Sequence, residues 1–336
     1  MASMGKPMWT IAIIGNGGWG TALAIHLAQK GIHVNLWGAS GEYMKILLKR
    51  RENIRFLPGI KIPLGVTLTA DFAAALKGAD ILVLAIPSQY AVEVLKRLKP
   101  FQPSDKIILS VVKGIEMRSL LRMSEIIQVH LGKVPVAVLS GPTIASEVAK
   151  GFPSSAVIAS KNMRVAKTLQ AIFNSKRFRV YTNADVVGVE LGGSIKNIIA
   201  IACGVCDGLG FGTNAKAALV ARGLAEMARL GKAMGARRET FSGLSGLGDL
   251  VTTCFNTQSR NRFVGEQLGK GMSIEGIIKK VHGVAEGIAT VKAAFKLSKK
   301  HNVAMPITQE VYKVIYKNKP PLRAVCDLLE RIVKSE

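Results

Sequence analysis

A glycine-rich segment near the start of the chain has the spacing of a turn that binds a dinucleotide. Residues 15–20 read Gly-Asn-Gly-Gly-Trp-Gly, which is the pattern G-x-G-x-x-G. Gly15 permits a tight turn, Gly17 lets the backbone approach a pyrophosphate, and Gly20 lets a helix pack closely on a strand. Free N–H groups at the start of such a helix favour bound phosphate. We therefore predict that this turn holds the phosphates of a nucleotide cofactor.

A lysine in the second half of the chain has the surroundings of a reacting group. Residues 190–197 read Glu-Leu-Gly-Gly-Ser-Ile-Lys-Asn, and on a helix Gly192 and Gly193 share a face with Lys196. Each glycine inside a helix costs up to about 1 kcal/mol relative to alanine. We interpret the clearance as room for a flat ligand beside the Lys196 ammonium. The alternative is close packing of helices, with Lys196 extended towards solvent.

Two segments after this lysine carry polar groups that suit an anionic substrate. Asp249 follows a flexible loop rich in glycine. Ser259 is a natural N-cap, which puts Arg260 and Asn261 in a first helical turn, where an anion finds N–H groups and guanidinium donors. An ordinary capped helix with solvated arginines has the same pattern. In the first half, residues 113–114 and 140–143 each follow a predicted strand, where ligands bind in parallel sheets, although glycine and proline also punctuate ordinary loops.

The elements that position these residues follow from the pattern of apolar side chains. Short apolar runs alternate with helical segments up to about residue 185, which predicts a largely parallel sheet covered on both faces. The predicted strands are 9–15, 32–37, 79–86, 106–112, 134–140, 155–159 and 178–181. The glycine turn follows the first strand and opens a helix over 21–30, and the second strand comes next. This context fits a dinucleotide-binding βαβ unit.

Helical spacing replaces the strand pattern beyond about residue 186. One set of apolar residues recurs at Val220, Leu224 and Met227, and a second recurs over residues 284–295. Pro306 suits the first turn of a further helix. We predict a Rossmann-type α/β domain with a doubly wound, mostly parallel sheet over residues 1–185. An all-α substrate and catalytic domain is predicted over residues 186–336.

Composition limits the kinds of partner. The chain has 336 residues, 49% of them hydrophobic and 20% charged, which suits two globular domains. The net charge of +24 predicts anionic partners, but the basic residues are dispersed and only 6% of residues are aromatic. We therefore expect no nucleic-acid partner and at most weak attraction to a membrane surface. No apolar run reaches the roughly 20 residues of a membrane span, and the apolar run near the start is interpreted as a buried strand rather than a leader.

The cysteines predict neither a metal site nor a redox pair. The spacing Cys203-x-x-Cys206 lies in an apolar, helical segment with no second pair and no histidine nearby. We expect buried free thiols and no bound metal. Few cysteines in a long chain fit a reducing compartment, so we expect a cytoplasmic protein.

Several long motifs follow one another in a fixed order over nearly the whole chain. They are GNGGWGTALA from residue 15, FLP from 56, KGIE from 113, SGPT from 140, GGSIKNIIAIACG from 192, DGLGFGTNAKAAL from 207, GLSGLGDLVTTC from 243, QSRNR from 258 and VAEG from 284. Together these motifs resemble those of bacterial NAD(P)-dependent glycerol-3-phosphate dehydrogenases. The resemblance implies reversible reduction of dihydroxyacetone phosphate to sn-glycerol 3-phosphate with NADH or NADPH, for phospholipid synthesis. We also expect a homodimer.

The resemblance carries over to individual positions. It implies that Lys196 is the catalytic lysine, which donates a proton to the substrate oxygen. Implied substrate contacts are Lys113, Gly141, Thr143, Lys196, Asp249, Ser259, Arg260 and Asn261; implied cofactor contacts are Gly18, Trp19, Lys113, Ala145, Arg260, Val284 and Glu286. Gly18 stands where serine is usual, so one side-chain hydrogen bond to the phosphates is lost. Burial and the Lys113 charge should lower the pKa of Lys196, and Asp249 should oppose that shift.

The residues after the second strand bear on the choice of cofactor. An NAD-selective site has Asp or Glu there, whereas this chain has Gly38, Ala39 and Ser40. Family members often carry a basic or polar residue at the position of Ala39, near the adenosine. Ser40 or Lys45 suits a 2′-phosphate, so we expect NADPH to be accepted or preferred.

Two alternatives stay open from the sequence. One is a related two-domain dehydrogenase of the 6-phosphogluconate or hydroxyacid type, which also places a lysine and an asparagine on an equivalent helix but needs a different anion pocket. The other is a basic scaffold that keeps the fold and binds nucleic acid or a membrane, which predicts steeply salt-dependent binding. Substrate profiling with NAD(P)H separates both from the glycerol phosphate enzyme.

Overall fold

The computed structural model describes residues 9–281 and 283–332. The segment before residue 9 lies outside the described residues. The prediction that this segment is not a leader concerns those residues and stays a prediction. The chain forms two compact units. The first comprises the described residues up to 112 together with 123–139 and 143–186, and the second comprises 113–122, 140–142 and the described residues from 187.

The first unit is built on a mostly parallel sheet. The strands within the described residues are β1 (Thr10–Ile14), β2 (His33–Trp37), β3 (Glu52–Asn53), β4 (Leu57–Lys61), β5 (Val66–Thr69), β6 (Ile81–Leu84), β7 (Ile107–Ser110), β8 (Val136–Ser140), β9 (Ser154–Ala159) and β10 (Phe178–Asn183). Eight of them form one sheet in the order β10-β9-β8-β7-β6-β1-β2-β5, while β3 and β4 pair separately. Strand β6 is buried throughout, as expected for an inner strand covered on both faces.

In the described part of this unit, seven α-helices accompany the sheet: α1 (Gly18–Gln29), α2 (Gly41–Arg50), α3 (Phe72–Leu76), α4 (Ala91–Leu98), α5 (Met123–Leu131), α6 (Ala145–Ala149) and α7 (Met163–Phe173). The predicted doubly wound α/β class is confirmed, and each predicted strand is present within a few residues of its expected ends. The short β3, β4 and β5 were not predicted. Strand β5 has only four residues at the edge of the sheet, too few for its alternating burial to stand out in the sequence.

The order of the strands places the glycine turn at a functional point of the sheet. From β1 the chain passes outward to β2 and β5, and then returns to β6 on the other side of β1. The direction of winding reverses between β1 and β6. In open parallel sheets, ligands bind outside the carboxyl ends of the strands at such a reversal.

The second unit is helical, as predicted. Its helices are α8 (Val186–Gly208), α9 (Thr213–Ala233), α10 (Arg238–Ser242), α11 (Asp249–Phe255), α12 (Arg260–Gly269), α13 (Ile274–Lys280), α14 (Glu286–Lys300), α15 (Pro306–Tyr316) and α16 (Pro321–Leu329). Pro306 begins α15, as expected for a residue without a backbone N–H. A π-helical turn, Leu244–Gly248, leads directly into α11.

Helix α8 is the central helix of this unit. It is long and apolar enough to cross a membrane by length and composition alone, which the sequence analysis did not expect. Its most apolar stretch of 18 residues is 94% buried inside the protein, as in a core helix. Cys203 and Cys206 on α8 are buried free thiols, as predicted. The described residues contain no group of three or more His, Cys, Asp or Glu side chains placed to hold a metal ion.

Candidate active site

The glycines of residues 15–20 meet the steric demands that the sequence predicts. Gly15 has a φ of +121°, and a Cβ there would overlap the carbonyl oxygen of Ala85, next to β6. A Cβ on Gly20 would overlap the carbonyl oxygen of Gly15 and lie 3.1 Å from the Cβ of Ala85. By contrast, no atom lies within 4 Å of a Cβ built on Gly17, the N-cap of α1. The turn is therefore tightly packed on the protein side and open at Gly17.

The donors around this turn fit a phosphate-bearing cofactor. No side chain caps the N-terminus of α1, so its first N–H groups are open to a ligand. The Nδ2 atom of Asn16 and the Nε1 atom of Trp19 are buried, and neither has a hydrogen-bond partner among the described residues. Buried polar groups in proteins are nearly always paired, so donors left open at a helix start indicate a ligand that accepts hydrogen bonds.

Two predicted cofactor contacts are Gly18, which lies on the turn, and Ala145, which lies beside it. Ala145 begins α6, and its Cβ is 3.8 Å from the position of a Cβ built on Gly18. The same built Cβ would be 2.7 Å from the carbonyl oxygen of Phe56. A serine here, which the resemblance implies is usual in the family, would therefore require the backbone near Phe56 to shift.

Asn53, which was not predicted as a site residue, supports the glycine turn through buried hydrogen bonds. Its side chain is fully buried, and its Nδ2 atom donates to the carbonyl oxygen of Asn16 (2.8 Å) and to Thr21 Oγ1 (2.7 Å). Its Oδ1 atom accepts from the Tyr43 hydroxyl (2.7 Å) and from the Phe56 N–H (3.2 Å). A single Asn in a strand of only two residues has no periodic signal, so only the structure identifies it.

We expect Asn53→Ala to weaken both folding and cofactor binding. Several buried partners lose their hydrogen bonds, which should lower the free energy of unfolding by about 2–3 kcal/mol and raise the Kd of NAD(P)H by about tenfold. Urea unfolding and fluorescence titration measure the two quantities. Asn35→Ala is the matched control, because Asn35 is a buried Asn of the same unit that donates to the Ala75 carbonyl (3.0 Å). A control with the same change in Kd would show that the effect is general loosening of the unit.

A buried cluster of charges surrounds Lys196 on α8. The Nζ atom of Lys196 donates to Asp249 Oδ1 and to Thr253 Oγ1 (2.7 Å). The Nζ atom of Lys113 donates to Asp249 Oδ2 (2.7 Å) and to the carbonyl oxygen of Gly141 (2.9 Å). Lys196 and Asp249 are 5% and 1% exposed. One carboxylate thus joins two ammonium groups inside the protein.

The electrostatics of the cluster favour an acid that works near neutral pH. Burial, reinforced by the neighbouring Lys113 charge, lowers the pKa of Lys196 to about 8, and Asp249 opposes the shift. Burial raises the pKa of Asp249, but the two ammonium groups outweigh it and hold this pKa below its usual range. The directions agree with those expected from the sequence.

The glycine pair before Lys196 has a different purpose from the one predicted. A Cβ on Gly193 would overlap Ser140 Oγ and lie 3.5 Å from Cγ of Lys113. A Cβ on Gly192 would lie 2.5 Å from the carbonyl oxygen of Ser245. The interpretation of this clearance as room for a flat ligand is wrong, because protein segments fill it. Gly193 instead lets the segments that carry Ser140 and Lys113 lie directly against α8, and Gly192 does the same for the turn that carries Ser245.

A chain of amide hydrogen bonds ties the start of α12 to α8. Asn197 Nδ2 donates to the carbonyl oxygen of Lys113 (3.0 Å), and Asn261 Nδ2 donates to Asn197 Oδ1 (2.8 Å). Asn261 Oδ1 accepts from the Gly287 N–H (2.9 Å) in the first turn of α14. Ser259 caps α12 by accepting from the Arg262 N–H (3.3 Å), as predicted. Both ends of the Asn261 amide are therefore engaged by protein.

The predicted site residues fall into three groups. The first group lies in the first unit and comprises the glycine turn, Ala39, Thr143 and Ala145. The second group forms one cluster in the second unit and comprises Lys113, Gly141, Lys196 and Asp249. The third group lies at the starts of α12 and α14 and comprises Ser259, Arg260, Asn261, Val284 and Glu286. Arg260 is exposed, and the negative charge of Glu286 stabilises the charged form of its guanidinium. Asn197 and Thr253, which bond to Lys113 and Lys196, were not predicted as site residues. Thr253 follows Asp249 by one helical turn, a spacing that would have identified it.

A dinucleotide turn at the reversal of a parallel sheet, together with a helical unit that buries a lysine–aspartate cluster, defines a class of NAD(P)-dependent oxidoreductases. The chain belongs to the NAD-dependent glycerol-3-phosphate dehydrogenase family. Residues 10–166 match the model of that family's N-terminus, and residues 185–326 match the model of its C-terminus.

Individual relatives match over nearly their full lengths. The glycerol-3-phosphate dehydrogenase [NAD(P)+] of Prosthecochloris aestuarii is 47% identical over 329 residues, 97% of this chain and 99% of the relative. The enzyme of the same name from Moorella thermoacetica is 47% identical over 322 residues, 96% of each chain. A crystal structure of glycerol-3-phosphate dehydrogenase from Coxiella burnetii is 40% identical, with a TM-score of 0.93 over 96% of this chain and 99% of that one.

Proposed function

We propose that the protein reduces dihydroxyacetone phosphate to sn-glycerol 3-phosphate with NADH or NADPH, reversibly, and so supplies the glycerol phosphate backbone of phospholipids. The observation that carries this proposal is the buried Lys196 ammonium, held by Asp249 and Thr253. Reduction of a ketone develops negative charge on the carbonyl oxygen, which a fixed donor stabilises. The names of the relatives support the same reaction.

Each group of the cluster has a separate task. The nicotinamide, when bound, supplies the hydride. Lys196 Nζ gives a proton to the oxygen that becomes the alcohol, and takes it back in the reverse direction. Asp249 fixes the direction of that ammonium, and the Lys113 charge adds to burial in lowering the pKa of Lys196. Lys113 also contacts the substrate, together with Gly141 and Thr143.

The phosphate of the substrate needs donors rather than chemistry. We assign it to Arg260 and the first turn of α12, which Ser259 begins and Asn261 ties to α8. N–H groups at a helix start and a guanidinium are the strongest donors to phosphate. In the first unit, the glycine turn holds the dinucleotide phosphates, with Trp19, Ala39 and Ala145 as further contacts. The cofactor contacts at Lys113, Arg260, Val284 and Glu286 stay predictions.

The cellular compartment is inferred from the state of the cysteines. We assign the protein to the cytoplasm, because Cys203, Cys206 and Cys254 are buried free thiols that an oxidising compartment does not favour. A homodimer, the lack of a nucleic-acid partner and weak attraction to a membrane surface stay predictions.

The test of the reaction also tests the choice of cofactor. Oxidation of NADH and of NADPH with dihydroxyacetone phosphate is measured side by side, and we expect kcat/KM with NADPH to equal or exceed the value with NADH. Ser40 caps α2 by accepting from the Tyr43 N–H (3.2 Å), and its hydroxyl still has a hydrogen to donate. Lys45→Met should raise the KM of NADPH alone by about threefold to tenfold, whereas Lys49→Met, at another exposed lysine of α2, should change neither KM.

Three results would count against these assignments. A strong preference for NADH would remove Ser40 and Lys45 from the adenosine site. Turnover of hydroxyacids but not of dihydroxyacetone phosphate would favour the related class of dehydrogenase. Salt-dependent binding of nucleic acid without oxidation of NAD(P)H would favour the scaffold.

The pH dependence should have opposite signs in the two directions. Reduction needs Lys196 charged, so kcat should fall as pH rises through about 8; oxidation of glycerol 3-phosphate needs it neutral, so kcat should rise through the same pH. Initial rates from pH 6 to 10 measure both profiles. In Asp249→Asn both midpoints should move to lower pH. The Asp249 carboxylate stabilises the charged form of Lys196, so its removal lowers the pKa of Lys196. Profiles of equal sign in both directions would contradict the role of Lys196.

A further inference from the structure

The segment that carries Lys113 is a closed loop within the second unit. Ile115 and Arg122 form an isolated antiparallel bridge, and the Glu116 N–H donates to the Leu121 carbonyl (3.2 Å). Inside the loop, the Glu116 carboxylate accepts from the N–H groups of Arg118 (3.0 Å) and Ser119 (2.6 Å). The loop is therefore folded as one piece, and a shift at one end moves the other.

One stripe of α8 receives this loop at both ends. Glu190, Gly193 and Asn197 are spaced i, i+3 and i+7, which places them on one helix face. Asn197 donates to the carbonyl oxygen of Lys113 at the start of the loop, and Gly193 lies under the Lys113 side chain. At the far end, Arg122 Nη1 donates to Glu190 Oε2. The loop thus lies along α8 between two fixed points, next to Lys196.

The bond between Arg122 and Glu190 is a buried ion pair. The two side chains are 11% and 5% exposed. Removing two charges from water costs several kcal/mol per ion, and apolar residues of similar volume often stabilise a fold as well or better. A role in folding stability alone therefore explains the pair poorly. What such a pair adds is register, because the bond from Arg122 Nη1 to Glu190 Oε2 forms at one position along the helix and is lost if the loop shifts by one turn.

We propose that Arg122 and Glu190 are positioning residues, which fix the register of the loop on α8 and thereby the distance of the Lys113 ammonium from Lys196 and Asp249. The proposal rests on the proposed function for its kinetic consequence, but its structural content does not need turnover. The groups that face Lys196 are Asp249, Thr253 and, through Asp249, Lys113. Of these, only Lys113 lies on the loop.

The test removes both charges at once. Arg122→Met alone leaves the Glu190 carboxylate buried and unmatched and risks unfolding, so the main variant is Arg122→Met with Glu190→Leu. The pH midpoint of Lys196 is measured directly, by competitive labelling of amines with an acylating reagent and mass spectrometry. We expect this midpoint to rise by about half a pH unit or more, because the Lys113 charge moves away from Lys196. The pH midpoints of kcat should rise by the same amount as the labelling midpoint. At pH 7, kcat should change by about threefold or more.

A second buried pair of the same unit is the control. Glu310 and Lys319 are 9% and 14% exposed, and their other ion-pair partners, Lys313 and Asp327, are 36% and 31% exposed. The hydrogen bonds that join Lys113, Lys196 and Asp249 involve neither Glu310 nor Lys319. Glu310→Leu with Lys319→Met should leave the labelling midpoint of Lys196 and the kcat profile unchanged. Arg122→Lys, which keeps the charge but not the fork of donors, should give an intermediate midpoint.

Three outcomes are decisive. A folded double variant with the wild-type labelling midpoint would overturn the proposal, and so would an equal shift in the control pair. An unfolded double variant would assign the pair to stability and also overturn it. If the wild-type protein fails to reduce dihydroxyacetone phosphate, the proposed function fails, while the labelling experiment still decides the positioning role.

Discussion

Lys196→Met should lower kcat for reduction of dihydroxyacetone phosphate by at least about 10²-fold, because the variant has no group to protonate the developing alkoxide. Methionine matches the length and apolar stem of lysine and tolerates irregular packing. Asp249 keeps its bond to Lys113 (2.7 Å), so no carboxylate is left buried without a counter-charge. We therefore expect a folded protein that binds NAD(P)H with a Kd within about twofold of the wild type and turns over slowly.

Two comparisons separate loss of the acid from general damage. Lys216→Met removes another poorly exposed lysine of the second unit, which pairs with Asp207 (2.9 Å) and has no bond to Asp249. It should keep kcat within about threefold. Lys196→Ala leaves space for a small amine, so added ethylammonium should restore part of the turnover, with a pH dependence set by the added amine. Near-normal kcat in Lys196→Met would remove this residue from the chemistry.

The glycine turn and the helical unit could be predicted because their signals are local. Gly15, Gly17 and Gly20 are fixed by backbone geometry within one turn, and the structure gives each the predicted steric situation. The same holds for Ser259, whose hydroxyl caps the helix that starts one residue later. Local rules of this kind need no knowledge of distant partners.

The contacts that define the cluster could not be predicted in this way. Gly193 is explained by Ser140, more than fifty positions earlier, and no periodicity in the sequence reports that approach. The same is true of Asn53 under the turn and of Glu190 opposite Arg122. In each case the signal is a single polar or small residue whose reason lies in another segment. The motif resemblance included Lys113, Lys196 and Asp249, which the structure brings into one cluster, but geometry was needed to tell what each glycine accommodates.

Gly265→Ala should have the largest effect on stability. Helices α8 and α12 pack closely at four glycines, where a Cβ would overlap backbone atoms of the other helix: Gly204 and Gly208 on α8, and Gly265 and Gly269 on α12. A Cβ on Gly265 would overlap the carbonyl oxygen of Ile201 and lie 2.8 Å from the backbone N of Val205, so no side-chain rotation relieves it. The helix backbones must separate, which should cost about 3 kcal/mol or more in the free energy of unfolding. Chemical denaturation measures this loss.

The same change should also lower activity in the molecules that remain folded. Separation of the helices moves the start of α12 away from α8 and stretches the bond from Asn261 to Asn197 (2.8 Å). Because Arg260 is the neighbour of Asn261, the KM of dihydroxyacetone phosphate should rise by about tenfold or more, and a misplacement of this size can also reduce kcat. Gly212→Ala is the control, since no atom lies within 4 Å of its built Cβ and its φ is −78°. If Gly265→Ala were as stable and as active as Gly212→Ala, close packing of α8 on α12 would not be what holds the phosphate-binding helix in place.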